Sequence, residues 1–317
     1  MAKRKNTEEI RLKKRDLWIK RTMQWRGLDQ TEVESLLMTP RTQSVRVNPL
    51  AAGDIPTNLL AKPISWCSNG YEIVKSEEEK YNELSQSGKI YIQNAASWLP
   101  VIALNPQAGD SVLDVCAAPG GKSSHIQALT NNKSRLICND NSKPRLMKLQ
   151  ANMKRLGVQA EYSLADATRL SRHNLGEFDK ILLDAPCSGE GLMTLRPEDA
   201  KLFDSWSVAH IRRLSDLQKR IISEAWQLLK PGGTLVYSTC TMAPEENEAV
   251  VNYLLRRQDD AELLPIKIAN LPNRQPAVQS WNNRNFTHGL SNCLRLAPGR
   301  LTEAFFVAAL HKATHSK

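Results

Sequence analysis

Between residues 111 and 239 the chain alternates short apolar runs with stretches of helical spacing. Ser111–Val115, Arg135–Asn139, Glu161–Leu164, Phe178–Leu183 and Thr234–Thr239 read as buried strands. Lys122–Leu129 carries a helical pattern with Ile126 and Leu129 on one face. In Arg145–Gly157, Leu146, Leu149, Met153 and Leu156 recur at helical spacing and Gly157 caps the end. A long helix over Val208–Leu229 is expected to stop at Pro231-Gly232-Gly233. Pro244 suits the first position of a helix to about Arg256. Residues 265–289, rich in Pro, Asn and Arg, predict a long irregular loop. Leu294–Leu296 and Ala304–Leu310 look like closing strands around a turn at Pro298-Gly299. Strands that alternate with helices predict an α/β fold with a mostly parallel sheet.

Upstream the pattern is more broken. Ile10, Leu17 and Trp18 share one face of a basic helix expected to pack lightly, with Trp25 further on. Asp29-x-x-Glu32 has the form of a capping box for a short helix to Met38. Ser44–Asn48 alternates like a strand. Residues 50–70 are interrupted by Pro, Gly and Asn, with Trp66 expected in the core. Ser76–Ser85 reads as a polar helix, Ile90–Gln93 as extended, and Ala95–Leu104 as helical. The division expected is a small basic α+β region over 1–92 and a Rossmann-like domain over 93–317.

Charge sharpens this picture. The 317 residues carry a net charge of +10, which favours a polyanionic partner; a solvated basic surface is the bland alternative. Residues 1–26 hold ten Lys/Arg against three acids, including Lys3, Arg4 and Lys5, and are expected to meet phosphates. A solvated tail is the alternative. No apolar run approaches the ~18 residues of a membrane span, and the N-terminus lacks the apolar core of a secretory signal. A cytoplasmic monomer with no membrane contact is expected. The six cysteines (67, 116, 138, 187, 240, 293) form no C-x-x-C, so no metal is expected and most should be reduced and buried.

The candidate chemistry clusters where the strands end. Cys116–Gly121 is a run of small residues between a strand and a helix, the opening of a nucleotide-type βαβ unit. The dinucleotide pattern G-x-G-x-x-G is absent. The phosphate-loop pattern is a near miss, because Cys116 stands where its first Gly belongs. A purely structural turn is the other alternative. Asp140 ends the second strand, where an acid can accept from a ribose diol; a helix-capping Asp is the alternative. Asp166 ends the third, placed for an adenine amine or as a turn residue. Cys187 and Cys240 follow strands four and five, which suggests a nucleophile with a helper. Asp184 lies three residues before Cys187, and Lys122 or a helix N-terminus could favour a thiolate.

Cys116–Lys122 (CAAPGGK), Asp184–Gly189 (DAPCSG) and Ser238–Cys240 (STC) followed by Glu245-Glu246-Asn247 resemble the RsmB/NOP family of RNA cytosine-5 methyltransferases. Asp140-x-Ser142-x-x-Arg145-Leu146 with Asn152, Arg155 and Gly157 resembles that family's second motif. The likeness runs from about Ser44 to Lys312. It implies a class I S-adenosylmethionine-dependent methyltransferase that forms 5-methylcytosine in rRNA or tRNA. It implies Cys240 as the nucleophile that binds the cytosine covalently, Cys187 as the helper in release, and Asp184 on the N3/N4 edge of the base. It implies S-adenosylmethionine held by Cys116, Ala117, Ala118, Pro119, Gly120, Gly121, Lys122, Asp140, Arg145, Asp166 and Asp184. RNA backbone is expected on the basic N-terminus, on Arg274 and Arg284, and on Arg295. The sequence departs from the family at Ala304-Phe305-Phe306, where Gly-Phe-Phe is usual. Neither the long N-terminal domain nor the C-terminal extension of some members is expected. The rivals are a non-catalytic RNA-binding ribosome-assembly factor, a DNA cytosine methyltransferase and a phosphate-loop NTPase. The catalytic-core wording leans to ribosomal RNA and leaves the target cytosine open.

Overall fold

The structure is a computed structural model and describes residues 2–38, 41–195, 202–286 and 289–314. The side chains of Lys3, Arg4 and Lys5 lie outside the described residues. Helices α1 (Ala2–Arg26) and α2 (Gln30–Met38) open the chain. The capping box forms as expected. The Glu32 N–H donates to Asp29 Oδ1 at 2.8 Å, and the Asp29 N–H donates to Glu32 Oε2 at 2.8 Å. Strands β1 (Ser44–Val47) and β2 (Gly70–Glu72), helix α3 (Glu78–Gln86) and strand β3 (Ile90–Gln93) follow. The three strands form an antiparallel sheet with β1 in the middle.

Helix α4 (Leu99–Leu104) leads into the alternating part. There follow β4 (Ser111–Asp114), α5 (Gly121–Thr130), β5 (Arg135–Asn139), α6 (Lys143–Arg155), β6 (Glu161–Ser163) and β7 (Phe178–Asp184). Then come α7 (Glu190–Leu195), α8 (Leu202–Ser205), α9 (Val208–Gln227), β8 (Leu229–Thr239) and α10 (Glu248–Leu255). The remaining strands are β9 (Ala261–Leu264), β10 (Arg274–Gln275), β11 (Ser280–Trp281), β12 (Arg284–Asn285), β13 (Leu294–Leu296) and β14 (Phe305–Lys312). The large sheet runs β10-β13-β14-β8-β7-β4-β5-β6, with β9 also on β14. Strands β8, β7, β4, β5 and β6 are parallel, and β14 pairs antiparallel to β8. Strand order reverses beside β4. In an open parallel sheet that reversal leaves a crevice at the carboxyl ends of β4 and β7.

Both faces of the sheet are covered. One core cluster joins Leu113, Ile181, Leu183, Ile222, Trp226 and Val251. The other joins Val112, Leu136, Leu149, Met153, Val236 and Val307. This explains why the strands read as continuous apolar runs rather than alternating ones.

Several elements differ from the sequence pattern. Leu129 is exposed, and α5 instead buries Ser123, Ser124, His125, Gln127 and Thr130. The hydroxyl and amide groups among them are engaged, whereas His125 Nδ1 is buried without a partner: Ser123 Oγ donates to Asp114 Oδ2 at 2.5 Å, and Ser124 Oγ accepts from Arg46 Nη2 at 2.8 Å. Pro231-Gly232-Gly233 lies within β8, where pairing with β7 slips between Phe178 and Lys180. A proline without an N–H is tolerated at such an irregularity. Helix α10 starts at Glu248, not Pro244, because Asn247 has φ −103° and ψ −98°. Trp66 is half-buried, whereas Trp98 is fully enclosed.

Helix α1 does not pack lightly. Ile10 and Leu17 are exposed, but Trp18, Ile19 and Thr22 are buried. Trp18 and Ile19 join Val33, Leu37, Phe203, Trp206, Met242 and Ala304 in one cluster. Much of the helix's charge is engaged internally. Arg11 pairs with Asp204 at 2.6 Å, Lys14 donates to the Phe203 and Asp204 carbonyls, and Arg21 pairs with Glu245 at 2.9 Å.

Candidate active site

The glycine loop leaves β4 at Asp114 and enters α5 at Gly121. Its backbone is tied to the neighbouring strands: Val115 N–H donates to Leu182 O at 2.9 Å and Ala117 N–H to Asn139 O at 2.8 Å. The side chains of α6 brace it from outside. Arg145 Nη2 donates to Ala118 O at 3.0 Å, and Asn152 Nδ2 to Pro119 O at 2.8 Å. The Ala118–Pro119 peptide is cis. Gly120 has φ +106°, and a Cβ there would sit 2.7 Å from Leu149 Cδ1. Gly120 therefore faces helix α6, and its side-chain space is not ligand space. Gly121 is different: a Cβ there would lie 2.7 Å from Gln93 Oε1 and 3.0 Å from Tyr91.

A cleft of about 250 Å³ opens here. Cys116, Ala117, Ala118, Pro119, Gly121, Lys122 and Asp184 line it, together with Tyr91, Gln93, Ser97 and Asp114. Gly120, Asp140, Arg145 and Asp166 lie outside that lining. Asp140 is nonetheless buried at the end of β5. Its Oδ1 accepts from Ser142 N–H at 3.0 Å, while Oδ2 has Arg145 at 3.3 Å but no hydrogen bond. Asp166 is exposed and caps the following turn through Thr168, as the turn alternative anticipated. Arg145 acts on the loop carbonyl and on Asp140.

The sequence motifs do not mark Asp114, Tyr91, Gln93 or Ser97 as site residues. Asp114 is buried with Oδ1 unpartnered, and Gln93 Nε2 is likewise without a partner. Burial pushes the Asp114 carboxyl up to about 7 against the Ser123 hydrogen bond, and the nearby Asp184 charge adds to the rise. A signal existed in the sequence: an acid closing an apolar strand directly before a small-residue loop.

The two cysteines meet because β7 and β8 are adjacent, parallel and in register, with Asp184 beside Ser238. The chain leaves both strands at the same level, and Cys187 Sγ lies 3.4 Å from Cys240 Sγ. The hydrogen bond to Cys240, then burial, then the charges of Cys240 and Glu246 raise the Cys187 thiol well above its ordinary value. Either sulfur can donate in this contact, and the raised thiol favours Cys187 as the one that carries the proton. Asp184 Oδ1 accepts from Ser238 Oγ at 2.7 Å, and Oδ2 from Lys122 Nζ at 2.7 Å. Burial alone would lower the Lys122 ammonium, but Asp184 outweighs it and Lys122 stays cationic.

The Glu245-Glu246-Asn247 stretch holds this pair in place. Glu246 Oε2 accepts from Ser188 N–H and from Gln218 Nε2, both at 2.9 Å. Asn247 accepts from Thr239 Oγ1 at 2.5 Å and donates to Thr241 O at 3.0 Å, bracketing Cys240. Burial pushes Glu246 up to about 7. Glu303, also buried, is pushed to about 7 by burial, with Lys122 opposing. Arg295, expected on RNA, is buried. It forms an ion pair with Glu248 at 2.5 Å, and its guanidinium stacks over Trp25 at 4.4 Å. Arg274 and Arg284 are exposed.

A family model described as 16S rRNA methyltransferase RsmB/F matches residues 101–311. The chain belongs to the RsmB/F methyltransferase family. A tRNA (cytosine(49)-C(5))-methyltransferase of Pyrococcus abyssi is 35% identical over 90% of this chain and 92% of that protein. Ribosomal RNA small subunit methyltransferase F of Serratia proteamaculans is 37% identical over 86% of this chain. The chain spans only 57% of that relative's length. A solved methyltransferase homolog from Pyrococcus horikoshii superposes with a TM-score of 0.76 at 32% identity, over 93% of this chain and 94% of that one. The structure of NSun6 from Pyrococcus horikoshii with SFG shares the fold, with a TM-score of 0.75 at 24% identity over 93% of this chain and 97% of that one. As an RsmB/F member the chain is a methyltransferase, and its methyl donor is S-adenosylmethionine. The cleft suits that donor. It offers small residues along one wall and the bare polar atoms Asp114 Oδ1 and Gln93 Nε2, with Asp140 Oδ2 at the neighbouring strand end. Among the described residues no helix is long and apolar enough to cross a membrane.

Proposed function

We propose that this chain methylates carbon 5 of a cytosine in RNA through a covalent bond from Cys240. The observation that carries it is the cysteine pair, 3.4 Å apart beside the cleft of the family's methyl donor. Carbon 5 of cytosine is a poor nucleophile. Addition of the Cys240 thiolate to carbon 6 makes the ring an enamine and places electron density on carbon 5. Asp184 faces the N3/N4 edge, and the Lys122 ammonium at Asp184 Oδ2 stabilises the charge the ring gains. When bound, S-adenosylmethionine supplies the sulfonium methyl that carbon 5 takes up. Loss of the carbon 5 proton to a base then breaks the C6–S bond and returns the thiolate, and Cys187 assists that release. The target base must leave its stack to admit attack above its plane.

In this reading Cys116–Lys122, Asp114, Asp140 and Asp184 hold the donor. Asp166 takes the adenine amine from its exposed position, and Arg145 acts by bracing the loop. Residues 1–92 form the RNA-binding region and 93–317 the catalytic unit, with Arg274 and Arg284 on the RNA backbone. The named relatives act on tRNA or on small-subunit rRNA, and we keep both substrate classes. We read the chain as a cytoplasmic monomer without a resident metal.

The cysteines test the mechanism. Cys240→Ala should abolish methylation, a loss far beyond the factor of ten that ~1.4 kcal/mol represents. Cys187→Ala should strand the enzyme on RNA as an adduct that survives denaturing electrophoresis, and the double variant should form none. Adducts from Cys240→Ala and none from Cys187→Ala would reverse the roles. Methylation at wild-type rate by both single variants would falsify the covalent route.

A further inference from the structure

A basic groove lies on the outer face, away from the cleft at the glycine loop. Two recesses of about 500 and 480 Å³ share Lys219, Ala249, Arg284 and Phe286, and so form one continuous channel. Helices α9 and α10 and the β11–β12 hairpin bound it. One end abuts the support of the cysteine pair: Glu245, in its wall, is held by Arg21 and precedes Glu246, which grips Ser188. Ser215, also in the wall, donates to Glu245 O at 2.6 Å. The other end is formed by Arg256 and Arg257, past the end of α10, a helix about 12 Å long.

The charge along this channel is uncompensated. Its only two carboxylates are already engaged, Glu245 by Arg21 at 2.9 Å and Asp216 by Lys219 at 3.1 Å. Arg212, Arg256, Arg257 and Arg284 are exposed and have no carboxylate partner among the described residues. Four such guanidinium groups around one hollow repel one another and favour a polyanion. Aromatic rings are interleaved with them: Phe286 and Tyr253 line the channel half-buried, and Arg257 stacks on Tyr253 at 4.7 Å. Guanidinium groups alternating with ring faces suit an unpaired strand, whose phosphates need charge and whose bases need stacking partners.

We propose that this channel binds a single-stranded RNA segment flanking the target cytosine. The proposal rests on the RNA methyltransferase function above and adds a second contact surface to it. Phosphates lie on Arg212, Arg284, Arg256 and Arg257, and bases stack on Phe286 and Tyr253. The channel thereby extends recognition beyond the flipped base.

The test compares a long RNA carrying the target with a short oligonucleotide centred on it. The variants are Arg256→Glu/Arg257→Glu and the milder Arg256→Gln/Arg257→Gln, with S-adenosylhomocysteine affinity and melting temperature as controls for folding. Binding of the long RNA should weaken at least tenfold. Its log affinity against log salt should become shallower by about 1.4, the value for two single-strand phosphate contacts. The loss should appear in KM for the long RNA and not for the short one. Unchanged affinity and slope in the variants, alongside a wild type that does methylate RNA, would overturn the channel and leave the function standing. Equal losses on long and short RNA would overturn it too. Absence of 5-methylcytosine with wild type would instead remove the function itself.

Discussion

Asp114 ends β4 with one oxygen bound to Ser123 and the other bare, in the wall of the donor cleft. Its carboxyl is pushed up to about 7 by burial, so near neutrality it is poised between its two forms. A cationic amino group, such as that of S-adenosylhomocysteine, would favour the ionised form. Binding should then release a proton below pH 7. Affinity should rise with pH up to about 7 and level off above it, and Asp114→Asn should flatten the profile. Calorimetry from pH 5.5 to 8.5 in two buffers checks both the affinity and the proton release. A wild-type profile without slope would take Asp114 out of ligand binding. Its place at the end of an apolar strand before the small-residue loop is legible in the sequence, but that its second oxygen lacks a partner is decided only by the fold.

Helix α1 is the element whose role changed most between sequence and structure. Its charge suggests a lightly packed basic helix, yet Trp18 is buried against Phe203, with ring centroids 6.4 Å apart. Arg21 neutralises Glu245, next to the residue that fixes Ser188. Trp18→Ala should destabilise the fold by about 3–5 kcal/mol, as for other large-to-small changes in a core. Deleting residues 1–26 should lower the melting temperature and cut methylation, because it bares Met242 and Ala304 in the cluster beneath the cysteine loops. A deletion variant with wild-type melting temperature and activity would restore the view of α1 as a solvated tail. The helix was legible from its spacing. Which of its faces turns inward was not, because Ile10, Leu17 and Trp18 are equally apolar and only the partner surface selects among them.

Across the described residues, three buried carboxyls raised to about 7 set an unusual pH response, with buried Glu190 shifted in the same direction. Asp114, Glu246 and Glu303 are each pushed to about 7 by burial, far above the ordinary range near 4. A carboxyl raised on folding binds its proton more tightly in the folded state. Its contribution is full below pH 4 and is lost as pH rises through about 7. Glu72 works in the opposite sense, since its hydrogen bond to Arg300 lowers it and its contribution fades in acid. His125, held well below its ordinary value by burial, also costs stability as the pH falls through the ordinary histidine range, but it is one group against the raised carboxyls. Stability should therefore rise as pH falls from 8 to 5, before acid unfolding sets in. Urea midpoints at pH 8, 6.5 and 5 check this. Glu303→Gln, which removes one of the three groups, should reduce the rise. A midpoint that falls steadily from pH 8 to 5 would show that these groups are solvated.

The alternation of apolar runs and helical stretches was enough to place the five parallel strands, since buried strands and their covering helices have different periods. The motifs named the glycine loop, Asp184 and both cysteines, because the chemistry needs those residue types at strand ends. What sequence could not supply was adjacency. Cys187 and Cys240 are 53 residues apart, and only the parallel register of β7 with β8 brings their sulfurs to 3.4 Å. Pro244 looked like a helix start by local preference. Tertiary contacts instead draw Glu245, Glu246 and Asn247 to Arg21, Ser188 and the backbone around Cys240, which delays the helix to Glu248. Arg295 and the exposed arginines of the outer channel carry the same charge in the sequence. Burial against Glu248 and Trp25 decided that one would be internal, and the others, with no carboxylate partner among the described residues, stay open to solvent. Local propensity acts over a few residues and was readable from the chain. Burial, pairing and proton affinity depend on neighbours distant in sequence, so only the folded arrangement determined them.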